Sequence, residues 1–377
     1  MATSRRDQAA VGQPPLGGSD DDRSLGLDPL ADRRGHRSPE LDVLCAGPVF
    51  LDIVFTGLPS PPRVGTEVWA EGMGSCPGGA ANMAVALSRL GLRAALASPF
   101  GADVYGDFCW QVLEEQEGID LSYSRRFPGR HSSVTVSMAY ERDRALVTHG
   151  HPPPVAPDDF IGMPPRCRAV VTSLGEEPEQ WPSRARAEGA LVLADVGWDP
   201  TRAWSAERLS RLDTVDAFLP NAVEAMAYTR TATPESALAA LGRRVPLAVV
   251  TLGADGAIAL DGISGETARA PGLPVDSLDP TGAGDVFVAA FATGTLAGWP
   301  LQTRLDFAAL CAGLSVRHFG GSLSAPGWAD LVAWWGALGH ADAELASRYG
   351  FLPDVVPGGT LPAVTRAPAT IGLRPSR

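Results

Sequence analysis

Short apolar runs alternate with longer amphipathic stretches through the middle of the chain. DVLCAG, LDIVFTG, RAALASPFG, RAVVTSL, ALVLADV, AFLPN and LAVVTLG read as strands, each rich in Val, Leu, Ile or Ala and bounded by turn formers. AANMAVALSRLG repeats its apolar positions at helical spacing and stops at Gly91, and DVYGDFCWQVLEEQEG does the same up to Gly118. Further helices are expected near 178–188, 202–211 and 221–241. Apolar strands separated by helices predict a largely parallel sheet covered on both faces.

Other β-rich pieces break that alternation. TEVWAEGM could be a strand, and SVTVSMAY and RALVTHG form a hairpin around ERD. Strands within about 50–73 and 133–149 are therefore assigned to a small sheet protruding from the main domain as a lid. The ends lack apolar periodicity and are rich in Gly, Pro and Arg. They predict a disordered tail over 1–40, an α/β domain over 41–340 and a mostly disordered tail over 341–377.

Charge and composition narrow the function. A net charge of −12 leaves no basic surplus for nucleic acid. All the basic residues other than histidine are arginine; no lysine is present, which excludes a Walker-type phosphate loop, a pyridoxal-phosphate Schiff base and a lysine base. Cys45, Cys76, Cys109, Cys167 and Cys311 are scattered without a C-x-x-C pair, as expected of reduced core thiols in a cytoplasmic protein. His149–Gly150–His151 lacks a third ligand at metal spacing and reads as a loop. No apolar run is long enough for a membrane span, and MATSRRDQAA is not followed by the apolar core of a secretory signal.

The chemistry gathers after the strands, where open parallel sheets place their ligands. In LDPTGAGDVF a glycine turn opens a buried helix, a natural anion site because free N–H groups and the helix dipole point the same way. Asp285 at its mouth either caps the helix or does chemistry there. The GAGDVF run is not a dinucleotide fingerprint, since Phe287 stands where a third glycine is needed.

DPTGAGD with VFVAAF resembles the carboxy-terminal signature of the ribokinase-like (PfkB) carbohydrate kinases. PGGAANMAVALSRLG resembles their amino-terminal signature, FGADVYGDF their G-x-D-x-x-G element and NAVE their N-x-x-E motif, in family order over about 41–338. The resemblance implies a three-layer α/β/α sandwich with a mostly parallel sheet and a β-sheet lid. It implies ATP and Mg2+, with Asp285 as the base for a primary hydroxyl and Gly282, Ala283 and Gly284 as the anion hole. Asn221 and Glu224 would organise magnesium, and Thr251, Gly253 and Gly256 resemble a T-x-G-x-x-G nucleotide turn. The plain reading of Glu224 is compensation of a helix dipole, and that of Gly256 an ordinary turn glycine.

On the acceptor side Asp52, Gly78, Gly79 and Asn82 match the residues that hold the sugar. The chain departs from ribokinase proper: PGGAAN has no lysine and its glycine pair is shifted, and Gly175 stands where a sugar-binding glutamate should fall. SVRHFGGSLSAP resembles a segment that encloses potassium, with Asp279, Thr281, Ser315, His318, Gly320 and Ser324 as ligands. Some family members pair through the lid, which makes a homodimer an expectation. The resemblance thus points to an ATP-dependent kinase of a small sugar or sugar acid, a carboxylate meeting Arg142 or Arg144. The alternatives are a nucleoside kinase with Trp69 or Phe55 as a stacking wall, and a non-catalytic sugar-binding regulator on the same fold.

Overall fold

The computed structural model describes residues 27–35, 37–140, 143–152, 154–175, 178–197, 199, 201–339, 342–362, 364 and 366. In chain order the strands are β1 Val43–Ala46, β2 Val49–Thr56, β3 Gly72–Gly79, β4 Ala94–Ala97, β5 Pro99–Gly101, β6 Arg125–Phe127 and β7 Ser133–Tyr140. They continue as β8 Asp143–His149, β9 Ala169–Ser173, β10 Leu191–Asp195, β11 Ala217–Phe218, β12 Leu247–Thr251, β13 Ala257–Asp261 and β14 Thr267–Ala270. The large sheet runs β14-β13-β12-β11-β10-β9-β1-β4. From β4 to β12 every pairing is parallel, and β13 and β14 close one edge antiparallel.

Side chains alternate across a strand, and β1 shows how that builds three layers. Val43 and Cys45 join an apolar cluster with the helices Ala80–Arg89, Ala283–Leu296 and Leu301–Ser315. Leu44 and Ala46 join another with Trp181–Ala187, Ala222–Thr229 and Pro234–Leu241. The expected α/β/α sandwich is present. The helical stretch foreseen over 221–241 is split at Arg230, whose left-handed backbone (φ 57) ends one helix before Thr233 caps the next. The expected helix at 202–211 is instead a 3-10 segment, Arg208–Thr214.

A second sheet, β3-β2-β7-β8, forms the lid. β2 follows β1 after two residues, so the lid is rooted at the main sheet. The β7–β8 hairpin lies where the sequence pattern put it. β3 does not: the stretch around Trp69 is not strand, and pairing with β2 starts at Gly72 and runs through Gly79 into the first glycine motif. Glycine and proline normally weaken a strand. Here two of the missing side chains are required by neighbours, because a Cβ on Gly72 would lie 2.5 Å from the Thr56 hydroxyl and one on Gly78 only 1.8 Å from the Asp52 carboxylate.

The predicted tails are shorter than composition suggested. Leu30 is fully buried, and Arg34 bridges Asp28 to the buried Asp42. Helices Ala343–Arg348 and Leu352–Val355 flank a core position held by Tyr349 and Leu352. The rest of both predicted tails lies outside the described residues. All five cysteines are free and buried. No helix among the described residues is long and apolar enough to cross a membrane.

Candidate active site

The late helix Ala283–Leu296 begins at Gly282, a left-handed residue (φ 77) that offers no side-chain cap. Beyond its chain neighbours and its own helix, nothing among the described residues lies within 4 Å of where a Cβ on Gly284 would stand, so the turn opens onto free space there. Its amide groups and the helix dipole can gather negative charge there. Asp285 is not the cap of this helix. Its Oδ2 accepts a hydrogen bond of 2.7 Å from Asn82 Nδ2, contributed by the helix Ala80–Arg89. Asn82 is buried, and its Oδ1 has no hydrogen-bond partner among the described residues. A buried acceptor without a donor is costly unless a bound molecule supplies one.

Asp52 stands beside Asn82. It lies on β2 opposite Cys76 of β3 and is buried. A Cβ on Gly321 would come 2.8 Å from Asn82 Oδ1 and 3.5 Å from Asp52 Oδ2, and one on Gly282 would come 3.0 Å from Gly321 Cα. Gly78, Asp52, Asn82, Gly321 and Gly282 therefore converge on one compartment, while the Cβ direction of Gly79 meets the Pro48 carbonyl and the Phe50 ring. The lid closes on it through Ser137 of β7, whose hydroxyl lies 3.3 Å from that of Thr281. Gly321 and Ser137 were not picked from the sequence; the doubled glycine after Phe319 is the only signal for the first, and nothing local marks the second.

On the neighbouring strand ends Asn221 and Glu224 form a capping box. Asn221 Oδ1 accepts from the Glu224 amide at 3.0 Å, and Glu224 Oε2 accepts from the Asn221 amide at 3.1 Å. The plain helix-cap reading is thus realised, and a second property accompanies it. Burial, and then the charge of Asp285, push the buried Glu224 carboxyl up to about 7. Asp195, at the carboxyl end of β10, is also pushed well above the usual range by burial, Glu224 and Asp285. Negative charge here lacks compensation, which suits a hydrated cation. Among the described residues no group of three or more Asp, Glu, His or Cys could hold a metal by itself. A magnesium ion that keeps its waters and phosphate ligands needs only one or two carboxylates, and Glu224 and Asp195 fit that role. No motif surrounds Asp195, so only its place at a strand end could have revealed it.

Thr251 ends β12 and bridges Asn221. Gly253 follows with φ 61 and open space around its Cβ position. Gly256 has a structural reason of its own: φ is 95, and a Cβ would sit 1.9 Å from the Ala270 carbonyl.

The pfkB family carbohydrate kinase model matches residues 64–152 and 175–328, more than half of the chain. The chain belongs to the PfkB family. It is an ATP-dependent kinase of the ribokinase type, a class that takes in carbohydrate and nucleoside kinases. A nucleoside kinase of Methanothermobacter thermautotrophicus is 28% identical over 79% of this chain and 98% of its own length. A ribokinase of Lactococcus lactis is 25% identical over 76% of this chain and 94% of its own. The Arabidopsis thaliana ribokinase solved with ribose and ATP superposes with a TM-score of 0.65 at 23% identity, covering 78% of this chain and 98% of that one.

The remaining PfkB resemblances meet the structure unevenly. Asp279 is buried, and both its carboxylate oxygens accept backbone amides, Thr281 at 2.9 Å and Gly320 at 3.1 Å. The Ser315 carbonyl accepts from the His318 amide and the Gly320 carbonyl from that of Ser324. These residues are brought together, held by their own hydrogen bonds, with the His318 ring exposed. Trp69 is 78% exposed, and Phe55 faces away from Asp52 across β2. Arg142 lies outside the described residues.

Proposed function

We propose that this PfkB kinase transfers the γ-phosphoryl group of ATP to a primary hydroxyl of a small sugar or sugar acid. The observation that carries this reading is the 2.7 Å bond from Asn82 to Asp285 at the open Gly282–Gly284 turn. It joins a base, a hydroxyl-binding compartment and an anion-gathering turn in one place.

Asp52 and the unpartnered Asn82 Oδ1 accept hydrogen bonds from acceptor hydroxyls. Asn82 Nδ2 fixes the Asp285 carboxylate in orientation. Asp285 takes the proton of the primary hydroxyl as that oxygen bonds to the γ-phosphorus and the bond to the bridging oxygen of ADP breaks. Base catalysis of this kind contributes about 10²–10⁴ in rate. The amides of Ala283 and Gly284 face the charge spread over the transferring group, where fixed dipoles act without reorganising. Thr251 and Gly253 border the nucleotide. Magnesium, held through Glu224 and Asp195, supplies neutralisation of the phosphate charge when bound.

A nucleoside acceptor is the second reading, favoured by the near full-length match to the Methanothermobacter thermautotrophicus nucleoside kinase. The position of Phe55 on the face of β2 opposite Asp52 favours the sugar. Release of ADP by the purified chain across sugars, sugar acids and nucleosides decides between them. Turnover only of nucleosides overturns the sugar reading. Sugar binding without any turnover would establish a regulator instead.

A further inference from the structure

The wall that carries Gly321 is held from behind by two guanidinium groups. Arg89, at the end of the helix that bears Asn82, donates from Nη1 to the Leu323 and Ala325 carbonyls at 3.1 and 2.7 Å. Its other nitrogens form a buried two-point pair with Glu117. Arg366 reaches the same carbonyl cluster from the far end of the chain. Its Nη1 donates to Ser324 and Ala325 at 2.8 and 2.9 Å and, more weakly, to Leu323 at 3.4 Å. Its Nη2 pairs with Asp330 at 2.9 Å.

The approach of this segment is itself anchored. Leu361 packs on the main core, and Val364 lies so close to Gly327 that a Cβ there would come 2.6 Å from it. The short helix Gly321–Ser324 has its carbonyl end fixed by the two arginines. Its other end touches Asn82 and Asp52, and Ser322 Oγ donates to the Pro77 carbonyl at 2.5 Å beside the Gly78–Gly79 pair. Only the Arg366 half of the clamp comes from outside the span matched by the family model.

We infer that Arg366 is a positioning residue, and that Leu361, Val364 and Arg366 act as a strap setting the Gly320–Ala325 wall and with it the acceptor compartment. The inference rests on the kinase reading for its functional half. Charge-assisted hydrogen bonds to carbonyls hold a wall more firmly than water can. Loss of the strap should loosen the acceptor side and spare the nucleotide side, which is built from Asn221, Glu224, Thr251 and Gly253.

The test compares the full-length chain with its Arg366→Ala and Arg366→Lys variants by hydrogen–deuterium exchange and by steady-state kinetics. Arg366→Ala should speed exchange in the peptide spanning residues 315–325. It should raise KM for the acceptor by about three- to tenfold, with KM for ATP within twofold, since tenfold corresponds to about 1.4 kcal/mol. Arg366→Lys should recover part of both effects. Unchanged exchange in that peptide overturns the strap. Faster exchange with an unchanged acceptor KM, or with both KM values rising together, overturns its positioning role. A wild-type chain that phosphorylates nothing would break the kinase reading instead, while the exchange measurement would still decide whether the strap holds the wall.

Discussion

A methyl group added at Gly78, on the acceptor side of the site, would have nowhere to go, whereas one added at Gly253, on the nucleotide side, would project into open space. At Gly78 it would strike the Asp52 carboxylate, and at Gly282 it would crowd Gly321. At Gly253 and Gly284 nothing lies within reach. The two sides also differ in charge. The acceptor side joins Asp285 to an amide donor, while the nucleotide side keeps Glu224 and Asp195 with raised carboxyls. On the proposed reading the first would be a mould for the acceptor, and the second a platform whose charge would be met by a cation and phosphates.

The sharpest way to break this contrast is the residue shared by both sides. Asp285→Asn should lower kcat by about 10³, within the range for loss of a general base, with ATP binding retained in calorimetry. Turnover near that of the wild type would remove Asp285 from its assigned role. Gly78→Ala should come next. The added methyl displaces the Asp52 carboxylate, so acceptor KM should rise at least about tenfold while ATP KM holds, roughly 1.4 kcal/mol or more on one side only. A parallel rise in both would show that the two sides are not separately built.

Glu224→Gln tests the charge on the other side. The folded chain holds a proton near pH 7 that an ordinary glutamate, at 4.5, would have released. The folded state therefore binds more protons than the unfolded one between these values. This contribution to stability is full below about pH 4.5 and fades as pH rises through about 7. Asp195 acts with the same sign. In thermal melts of the ligand-free chain, Glu224→Gln should flatten the decline in Tm from about pH 5 to 8; an unchanged slope would count against the shared-charge reading. The smallest effect is expected of Gly253→Ala, where only backbone strain at positive φ is added, about 1 kcal/mol and about 2 °C in Tm. A collapse of folding in that variant would mean the platform is less open than its geometry indicates.

How much of this the sequence disclosed depended on whether the cause was local. The alternation of apolar strands with helices reports burial on both faces of a sheet, and it led to the layered fold. The glycine turn before Val286 marked the anion site because a helix start is a local event. β3 stayed hidden because Gly72 and Gly78 answer to Thr56 and Asp52 on the paired strand, neither of which is a local neighbour in sequence. Tyr349 and Leu352 are single anchors in a stretch without period, so composition could not tell a packed segment from a tail. The same composition concealed Arg366. Asp195 carries no motif, and its environment is assembled by the end of β10 and the first turns of the helices bearing Glu224 and Asp285. Gly256 erred in the other direction: it fits a motif, yet its conformation and its contact with the Ala270 carbonyl account for it fully.

The absence of lysine together with five buried thiols has a practical side. Reagents aimed at primary amines find no side chain to modify, and maleimides find no accessible sulfur in the folded protein. Cross-linking, fluorophore attachment and surface immobilisation by the usual covalent handles would therefore leave the native side chains untouched. A single cysteine introduced on β8 at Leu146 or Val147, both exposed, would become an accessible thiol reporting on the lid.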